Sequence, residues 1–199
     1  FLTRDPVSRA LTPGARLRLL ATGVLQSSQL HILRHQILAR VAQETGETVN
    51  YVMPQADGMS YIDRVETDWA FRVQLPIGSN VPFHCTASGK TYMASLPPSA
   101  RRAFVQGLEL TSKTEKTHTS PITLLDELAE TRKRGYALDN EEFMEGMVAL
   151  AVPVTDPSGR YVASLAFHGP SQRLTLDKAI SQKDVLLDGA NRLQNILFN

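Results

Sequence analysis

The strongest constraint on the fold is a pair of apolar segments joined by a four-residue turn near the carboxyl end. MVALAVPV and RYVASLAFH flank Asp156-Pro157-Ser158-Gly159, in which proline restricts φ and glycine permits a tight reversal. Both segments are apolar enough to lie in the centre of a sheet. They predict an antiparallel hairpin, and the chain lacks the regular βαβ alternation of a doubly wound fold.

A second hairpin and several helices complete this pattern. VNYVM and MSYIDRVE flank Asp57-Gly58, a strong hairpin signal, and AFRVQLP is a third extended run that ends at Pro76. The predicted helices are ARLRLLATGVLQ after Gly14, a segment from Ser28 to Gly46, SARRAFVQGL after Pro98, Ser120 to Gly135, and Thr175 to Phe198. This order predicts an α+β fold, an antiparallel sheet flanked by helices.

Composition limits the domain count and the class of partner. The chain has 199 residues, of which 42% are hydrophobic and 21% charged, so it can bury one sizeable core. Its net charge of +1 creates no global attraction to nucleic acid or to an anionic membrane. The first eighteen residues are locally basic, with Arg4, Arg9, Arg16 and Arg18 against Asp5.

The cysteine count and the first residue of the chain suggest a cellular location and a longer parent protein. Cys85 is the single cysteine, which excludes an internal disulfide and favours the cytoplasm. No apolar run approaches the ~20 residues of a spanning helix, so we expect no membrane contact. Because the chain begins at Phe1, we expect it to be the remainder of a longer protein with a missing part upstream.

The stretch Ser88-Gly89-Lys90-Thr91 looks like the end of a nucleotide-binding P-loop, but His84 stands where that loop needs its first glycine. We therefore reject a nucleotide. Thr86 is a good helix N-cap, and Ala87, Ser88 and Gly89 would leave backbone N–H groups open to a carboxylate. The alternative is an ordinary capped helix, which the spacing alone favours.

Other chemistry has weaker support. His84 and Cys85 suggest a thiol nucleophile, but adjacent side chains diverge, and nothing places His118 or His168 as a base. No metal-ligand spacing links these residues to the acids Asp139, Glu141 and Glu142. We expect no catalytic residue, no metal and no cofactor. Asp139 either accepts a hydrogen bond from a ligand hydroxyl or caps a turn.

Two separated blocks resemble the effector-binding domain of IclR-family transcriptional regulators. The first is LPIGSNVPFHCTASGKTYMASL, with Gly78, Pro82, His84, Gly89 and Lys90 at the family's positions. The second is RKRGYALDNEEFMEGMVALAVPVTDPSGRYVASLAFHGPSQRLT, in which the matching residues are Gly135, Tyr136, Glu141, Glu142, Gly146, Pro153, Val154, Asp156, Gly159, Gly169 and Pro170. The likeness covers about residues 15 to 199 and implies a GAF-like, profilin-like sheet.

The resemblance implies a division of the chain and a ligand site. Residues 1–13 resemble the wing hairpin of a winged helix-turn-helix, 14–46 the linker helices and 47–199 the effector-binding domain. The implied ligand-binding residues are Ala70, Val73, Val81, Ala87, Ser88, Asp139, Met147, Ala149, Ala166 and His168. Some relatives have small polar groups or cysteine where this chain has Ala149, Ala166 and His168, and these departures favour a larger or more apolar acid, aromatic acids included.

The implied activity is that of a transcriptional regulator that binds a small organic acid and, as a dimer or tetramer, operator DNA. The DNA would meet a winged helix mostly upstream of this chain, and Arg4 and Arg9 would contact phosphates. Two rival functions stay open at this point: a cysteine-dependent hydrolase of a small acid derivative, and a freestanding GAF-like sensor without DNA contact.

Overall fold

A computed structural model describes residues 1–4, 11–14, 16–18, 20–21, 28–70 and 75–198. Two short strands, β1 (Leu2–Arg4) and β2 (Leu11–Pro13), pair antiparallel near the amino end. A second sheet contains β3 (Thr48–Pro54), β4 (Met59–Val65), β5 (Asn80–Val81), β6 (Ala137–Asn140), β7 (Met147–Thr155) and β8 (Tyr161–Pro170). Its strand order is β5-β4-β3-β8-β7-β6, and every neighbouring pair is antiparallel.

Helices cover both faces of this sheet. They are α1 (Ser28–Thr45), α2 (Ala87–Ser95), α3 (Pro98–Gln106), α4 (Pro121–Arg134), α5 (Leu176–Ser181) and α6 (Lys183–Phe198). Residues 16–18 and 20–21 are also helical. The α+β class and the antiparallel sheet predicted from the sequence are confirmed.

The core has two parts, one on each face of the sheet. On one face, Leu38 of α1 and Leu186 and Leu193 of α6 pack with Phe167 and its neighbours. On the other, Met93 of α2 and Leu128 of α4 belong to a cluster with the strand residues Val52, Met59 and Tyr61. The sheet is therefore the middle of three layers, and alternate residues of its central strands enter different clusters.

Local signals explain most element boundaries. Ser120 caps α4 by accepting from the Ile122 N–H, and Gly135 ends it with φ 83°. Gly46, with φ 70°, directly follows α1 as predicted. Both hairpins form at the predicted turns.

One stretch differs from the prediction, and another lies partly outside the described residues. The single helix predicted for residues 175–198 is divided, because Gln182 ends α5 and α6 begins at Lys183. The Gln182 side chain donates to the Thr45 carbonyl, which ties this break to the end of α1. Of the extended run predicted for 70–76, residues 71–74 lie outside the described ranges.

None of the helices in the described ranges combines the length and apolar character needed to cross a lipid bilayer.

Candidate functional site

The candidate site is a small cavity between the start of α2 and the sheet. Two alanines of its floor, Ala149 and Ala166, belong to one buried cluster with Ala137, Ala151 and Ala87 of α2. Small side chains on three adjacent strands let the first turn of a helix approach the sheet while leaving a hollow. The residues lining this hollow are Asn50, Tyr61, Thr86, Ala87, Ser88, Asp139, Phe143, Met147, Ala149, Ala166, Phe167 and His168.

Strand register explains why residues distant in sequence meet here. Asp139 lies opposite Ala149, and Ala149 lies opposite His168, so these three form one row across β6, β7 and β8. Adjacent strands place opposed Cα atoms about 5 Å apart, so Asp139 and His168 stand about 10 Å apart at opposite ends of the alanine floor. A ligand on Ala149 can therefore meet a polar group on either side.

The start of α2 supplies backbone donors. The Thr86 hydroxyl accepts the Gly89 N–H at 3.1 Å and donates to the Pro82 carbonyl at 2.7 Å. Within the described residues, no hydrogen-bond acceptor engages the N–H groups of Ala87 and Ser88. These two donors, at the positive end of the helix dipole, make this wall of the cavity suited to an anion.

Gly89 has a packing role that explains the glycine in the Ser88-Gly89-Lys90 sequence. A Cβ at this position would lie 2.5 Å from the Cα of Phe83 and even closer to its carbonyl oxygen. Lys90, which is fully buried, pairs with Glu142 at 2.6 Å and with Glu127 at 3.2 Å. In this arrangement, neither Gly89 nor Lys90 is placed to bind a phosphate.

Asp139 is the carboxyl group of the site and is almost completely buried. Its Oδ1 accepts the backbone N–H of Glu142 at 2.8 Å and that of Phe143 at 3.3 Å. Its buried Oδ2 has no partner among the described residues. Burial, followed by the nearby Glu142 carboxylate, raises the pKa of Asp139 to about 7. The group can therefore donate or accept a hydrogen bond near neutral pH.

A network behind Asp139 holds the turn that carries Phe143. The hydroxyl of Thr114 donates to the Glu141 carbonyl at 2.7 Å, and that of Thr117 donates to the Glu142 carbonyl at 2.6 Å. Glu141 has a left-handed backbone, with φ 61°, which is unfavourable for a residue other than glycine. These contacts hold the turn in a strained form against the cavity.

The cavity is small. Its free volume of about 20 Å³ is only slightly more than one water molecule needs. Even a three-carbon acid therefore requires the walls to move. Phe143 lies in a turn rather than in a helix or strand, so this wall can move only if the contacts of Thr114 and Thr117 with the turn are loosened.

The structure brings together seven of the ten ligand-binding residues predicted from the sequence, and whether they bind ligand stays a prediction. The seven that line the cavity are Ala87, Ser88, Asp139, Met147, Ala149, Ala166 and His168. Val81 is buried in the cluster around Met59, outside the cavity lining, and Ala70 is exposed. Val73 and Arg9 lie outside the described residues, as does the side chain of Arg4.

Five lining residues were not expected from the sequence as ligand contacts, namely Asn50, Tyr61, Thr86, Phe143 and Phe167. Thr86 carried a signal as a helix cap. Asn50 carried a weaker signal, as an isolated polar residue within the otherwise apolar run VNYVM.

Cys85 is poorly suited to nucleophilic chemistry. Its side chain is fully buried, and burial raises the pKa of the thiol to about 12, so little thiolate exists near neutral pH. The adjacent His84 is held by the Thr111 carbonyl at 2.9 Å through Nε2. Over the described part of the chain, no cluster of three His, Cys, Asp or Glu residues is arranged to hold a metal ion.

Comparison with known proteins identifies the domain type. The family "Bacterial transcriptional regulator IclR C-terminal" matches residues 22–195. The probable transcriptional regulator SauR of Cupriavidus necator is 41% identical over 178 residues, covering 89% of this chain and 71% of SauR. The chain spans 66%, 61% and 56% of three further curated relatives.

Solved structures agree with this assignment. The Thermotoga maritima IclR structure is similar with a TM-score of 0.81 and 32% identity, covering 100% of this chain and 80% of that one. The inducer-binding domain of the Acinetobacter PobR transcription factor, a double mutant in complex with 3-hydroxybenzoic acid, matches with a TM-score of 0.77 and 25% identity. That match covers 84% of this chain and 98% of the PobR domain. With the family match over residues 22–195 and these relatives, the chain belongs to the IclR family of bacterial transcriptional regulators and contains its C-terminal domain.

Proposed function

We propose that this chain is the effector-binding part of a transcriptional regulator whose effector is a small organic acid. The observation that carries the proposal is that backbone N–H donors and a buried carboxyl oxygen line the same cavity. The N–H groups of Ala87 and Ser88 suit a carboxylate, and the unpartnered Oδ2 of Asp139 suits a second polar group of the same ligand.

The ligand's shape follows from the walls. The floor of alanines and the side chains of Met147 and Phe143 offer apolar contact between the polar ends. An acid that carries a hydroxyl or oxo group matches this arrangement, and 3-hydroxybenzoic acid, bound by the PobR domain, has that chemistry. The small free volume favours acids of few carbons unless the turn with Phe143 opens, so acids of both sizes need testing.

The remaining parts of the proposal concern the whole regulator. Residues 1–13 complete a winged helix-turn-helix that binds operator DNA, with Arg4 and Arg9 near phosphates, while residues 14–46 link it to the ligand-binding residues 47–199. The protein works in the cytoplasm as a dimer or tetramer, and the ligand favours one state of that assembly. The chain acts by binding and not by catalysis, which agrees with the buried Cys85.

The test is a melting-temperature screen of this chain against hydroxy, oxo and aromatic acids. A ligand at a hundred times its dissociation constant adds about 2.7 kcal/mol to the stability of the folded state, which is readily measured. Calorimetry on each acid that raises the melting temperature should then show weaker binding to Asp139→Ala, because this change removes Oδ2 from the cavity.

Asp126→Ala is the matched control, since Asp126 is exposed on α4 and far in sequence from the cavity residues. It should leave the affinity unchanged. Equal affinity in Asp139→Ala and Asp126→Ala would remove Asp139 from the site. If no acid of either size raises the melting temperature, the small-acid proposal is wrong.

A further inference from the structure

A second irregular segment contacts the turn that carries Phe143. This turn, residues 141–146, joins β6 to β7. The segment that contacts it, residues 111–119, lies in the connection between α3 and α4, and we call it the strap. Since both segments are irregular, specific side-chain contacts rather than a strand ladder decide how firmly they hold together.

Two threonines of the strap bond the backbone of this turn, and we call these two bonds the latch. The Thr114 hydroxyl donates to the Glu141 carbonyl at 2.7 Å, and the Thr117 hydroxyl donates to the Glu142 carbonyl at 2.6 Å. Both threonines are 8% exposed, so water competes little for these bonds. Neither threonine lines the cavity, so an effect of either on a ligand must pass through the turn.

The strap is itself fixed in place, which enables it to hold the turn. The backbone N–H groups of Lys113 and Thr114 donate to the Thr117 hydroxyl at 3.0 and 2.9 Å. This hydroxyl therefore accepts within the strap and uses its one proton on the turn. The Thr111 carbonyl lies 2.9 Å from Nε2 of His84, which precedes α2. The strap thus connects the turn to the approach of the helix whose first N–H groups line the cavity.

The other walls of the cavity resist displacement more strongly. Ala149 lies on β7 and Ala166 on β8, and each of these strands is bonded to a neighbour on both sides. The start of α2 is packed so closely that a Cβ on Gly89 would overlap the backbone of Phe83. Because the free volume is only about 20 Å³, an acid must still displace a wall. The turn is the wall that can move by losing side-chain bonds while the sheet stays intact.

The remaining contacts of the turn allow such a movement. Nζ of Lys90 donates to Oε1 of Glu142 at 2.6 Å, and the long, flexible side chains let this ion pair follow a shift of the backbone. Oδ1 of Asp139 accepts the N–H groups of Glu142 and Phe143, and this carboxyl group faces the cavity, where a ligand can engage it instead. The threonine side chains are short, so the latch must break when the turn moves.

We infer that the latch of Thr114 and Thr117 holds the turn closed over the cavity, and that an acid binds by breaking it. The inference rests on the proposed function and adds how access to the same site is controlled. When only a fraction of the molecules is open, the apparent affinity falls by that fraction. Weakening the latch should therefore tighten binding although it destabilises the closed fold. A purely structural role of the two threonines predicts lower stability with equal or weaker binding.

Amide hydrogen exchange tests the latch without any ligand. The N–H groups of Glu142 and Phe143 lose their acceptor when the turn opens, whereas the amides of the central strands β7 and β8 need a larger opening. We expect these two amides to be protected less than those of β7 and β8, and Thr117→Val to speed their exchange about two- to tenfold. Equal protection of the turn and the central strands overturns the inference, because the turn would then open only when the sheet unfolds.

Thr114→Val and Thr117→Val test the consequence for binding. Valine has nearly the shape of threonine but no hydroxyl proton, so each variant loses one bond of the latch. The probes are a three-carbon oxo acid, pyruvate, and an aromatic acid, 3-hydroxybenzoate. We expect each variant to bind whichever probe the wild type binds about two- to tenfold more tightly in calorimetry. Unchanged or weaker binding in both variants contradicts the inference.

Two control variants separate the latch from a general loss of stability. Thr117→Ser keeps a hydroxyl and should bind as the wild type does. Thr45→Val loses a buried hydroxyl bond of the same kind, 2.8 Å long, to the Val41 carbonyl at the end of α1. It should lower the melting temperature and leave the affinity unchanged; an equal gain in affinity there would attribute the effect to lost stability and remove the latch. If neither probe nor any other acid binds these proteins, the proposed function is wrong, and the exchange measurement alone decides on the latch.

Discussion

Tyr61 and Asp63 lie on opposite faces of the central sheet, although residues two apart in a strand normally share a face. Tyr61 lines the cavity, whereas Asp63 bonds Arg34 and His35 of α1. The cause is a β-bulge: Tyr51 pairs with Asp63 and Val52 with Tyr61, which leaves Ile62 as an extra residue. The bulge therefore directs Asp63 to α1 and returns Arg64 to the cavity face.

Arg34→Met should strongly destabilise the chain. Arg34 and Asp63 are 2% and 1% exposed and join at 2.9 Å, so removing the guanidinium leaves a buried carboxylate with less compensation. Arg34 also stacks on Tyr51, with its guanidinium carbon 5.2 Å from the ring centre. We expect a loss of about 3 to 5 kcal/mol in the free energy of unfolding, measured in urea.

Arg40→Met is the control for that change. Arg40 pairs with Glu44 on the exposed side of the same helix, where water and salt screen the two charges, so Arg40→Met should change the stability little. The double variant Arg34→Met, Asp63→Leu should recover part of the loss, because it removes the uncompensated charge. A similar small effect for Arg34→Met and Arg40→Met would show that Asp63 does not need its buried partner.

Ala87→Pro tests the backbone donors at the start of α2. Proline is accepted at the first position of a helix, as at Pro98 and Pro121 in this chain, yet it has no N–H to donate. The affinity for an acid found in the screen, measured by calorimetry, should fall about tenfold to a hundredfold. This is the usual effect of losing one hydrogen bond to a charged group. Ala87→Ser keeps the N–H, and a comparable loss in that variant would point to crowding instead.

Gly89→Ala should destabilise the fold by about 1 to 3 kcal/mol or more, because the new Cβ would overlap the backbone of Phe83. Gly107→Ala gives the contrasting result. The nearest atoms there are 3.6 Å away and the backbone is already right-handed, so alanine should add a few tenths of a kcal/mol. Urea unfolding measures the change in stability of both variants. Equal changes for Gly89→Ala and Gly107→Ala would mean that Gly89 is not needed for close packing.

Local signals made much of this fold predictable. The turns at Asp57-Gly58 and at 156–159, the cap at Ser120 and the glycine after α4 act within a few residues, so their effect can be read directly. The start of α2 was predictable for the same reason, since Thr86 caps it through a bond three residues ahead. What these signals leave open is which strands become neighbours.

The unpredicted features depend on contacts distant in sequence or on segments too short to show a pattern. Asn50 meets His168 across 118 residues because β3 pairs with β8, a pairing that no local pattern reveals. Strand β6 was not predicted, because its four residues Ala137–Asn140 are too few to show a convincing alternation. The bulge at Ile62 is equally hidden, since MSYIDRVE reads as a regular strand.

Asp139→Asn should make the chain less sensitive to pH between about 4 and 7. Burial holds the folded pKa of Asp139 near 7 against a usual 3.8, so the folded state keeps a proton that the unfolded state releases. Wild-type stability is therefore lost as pH rises through this window, by at most about 4 kcal/mol, and the loss is complete above pH 7.

Asparagine keeps an Oδ1 acceptor for the N–H groups of Glu142 and Phe143 but never ionises. In urea unfolding, the stability of Asp139→Asn relative to the wild type should increase from pH 5 to pH 8. The stability of Asp126→Asn relative to the wild type should not change over the same range. Parallel stability curves for Asp139→Asn and the wild type would show that Asp139 ionises freely in the folded chain, and an ionised Asp139 would favour ligands that present a hydroxyl donor over those that present only acceptors.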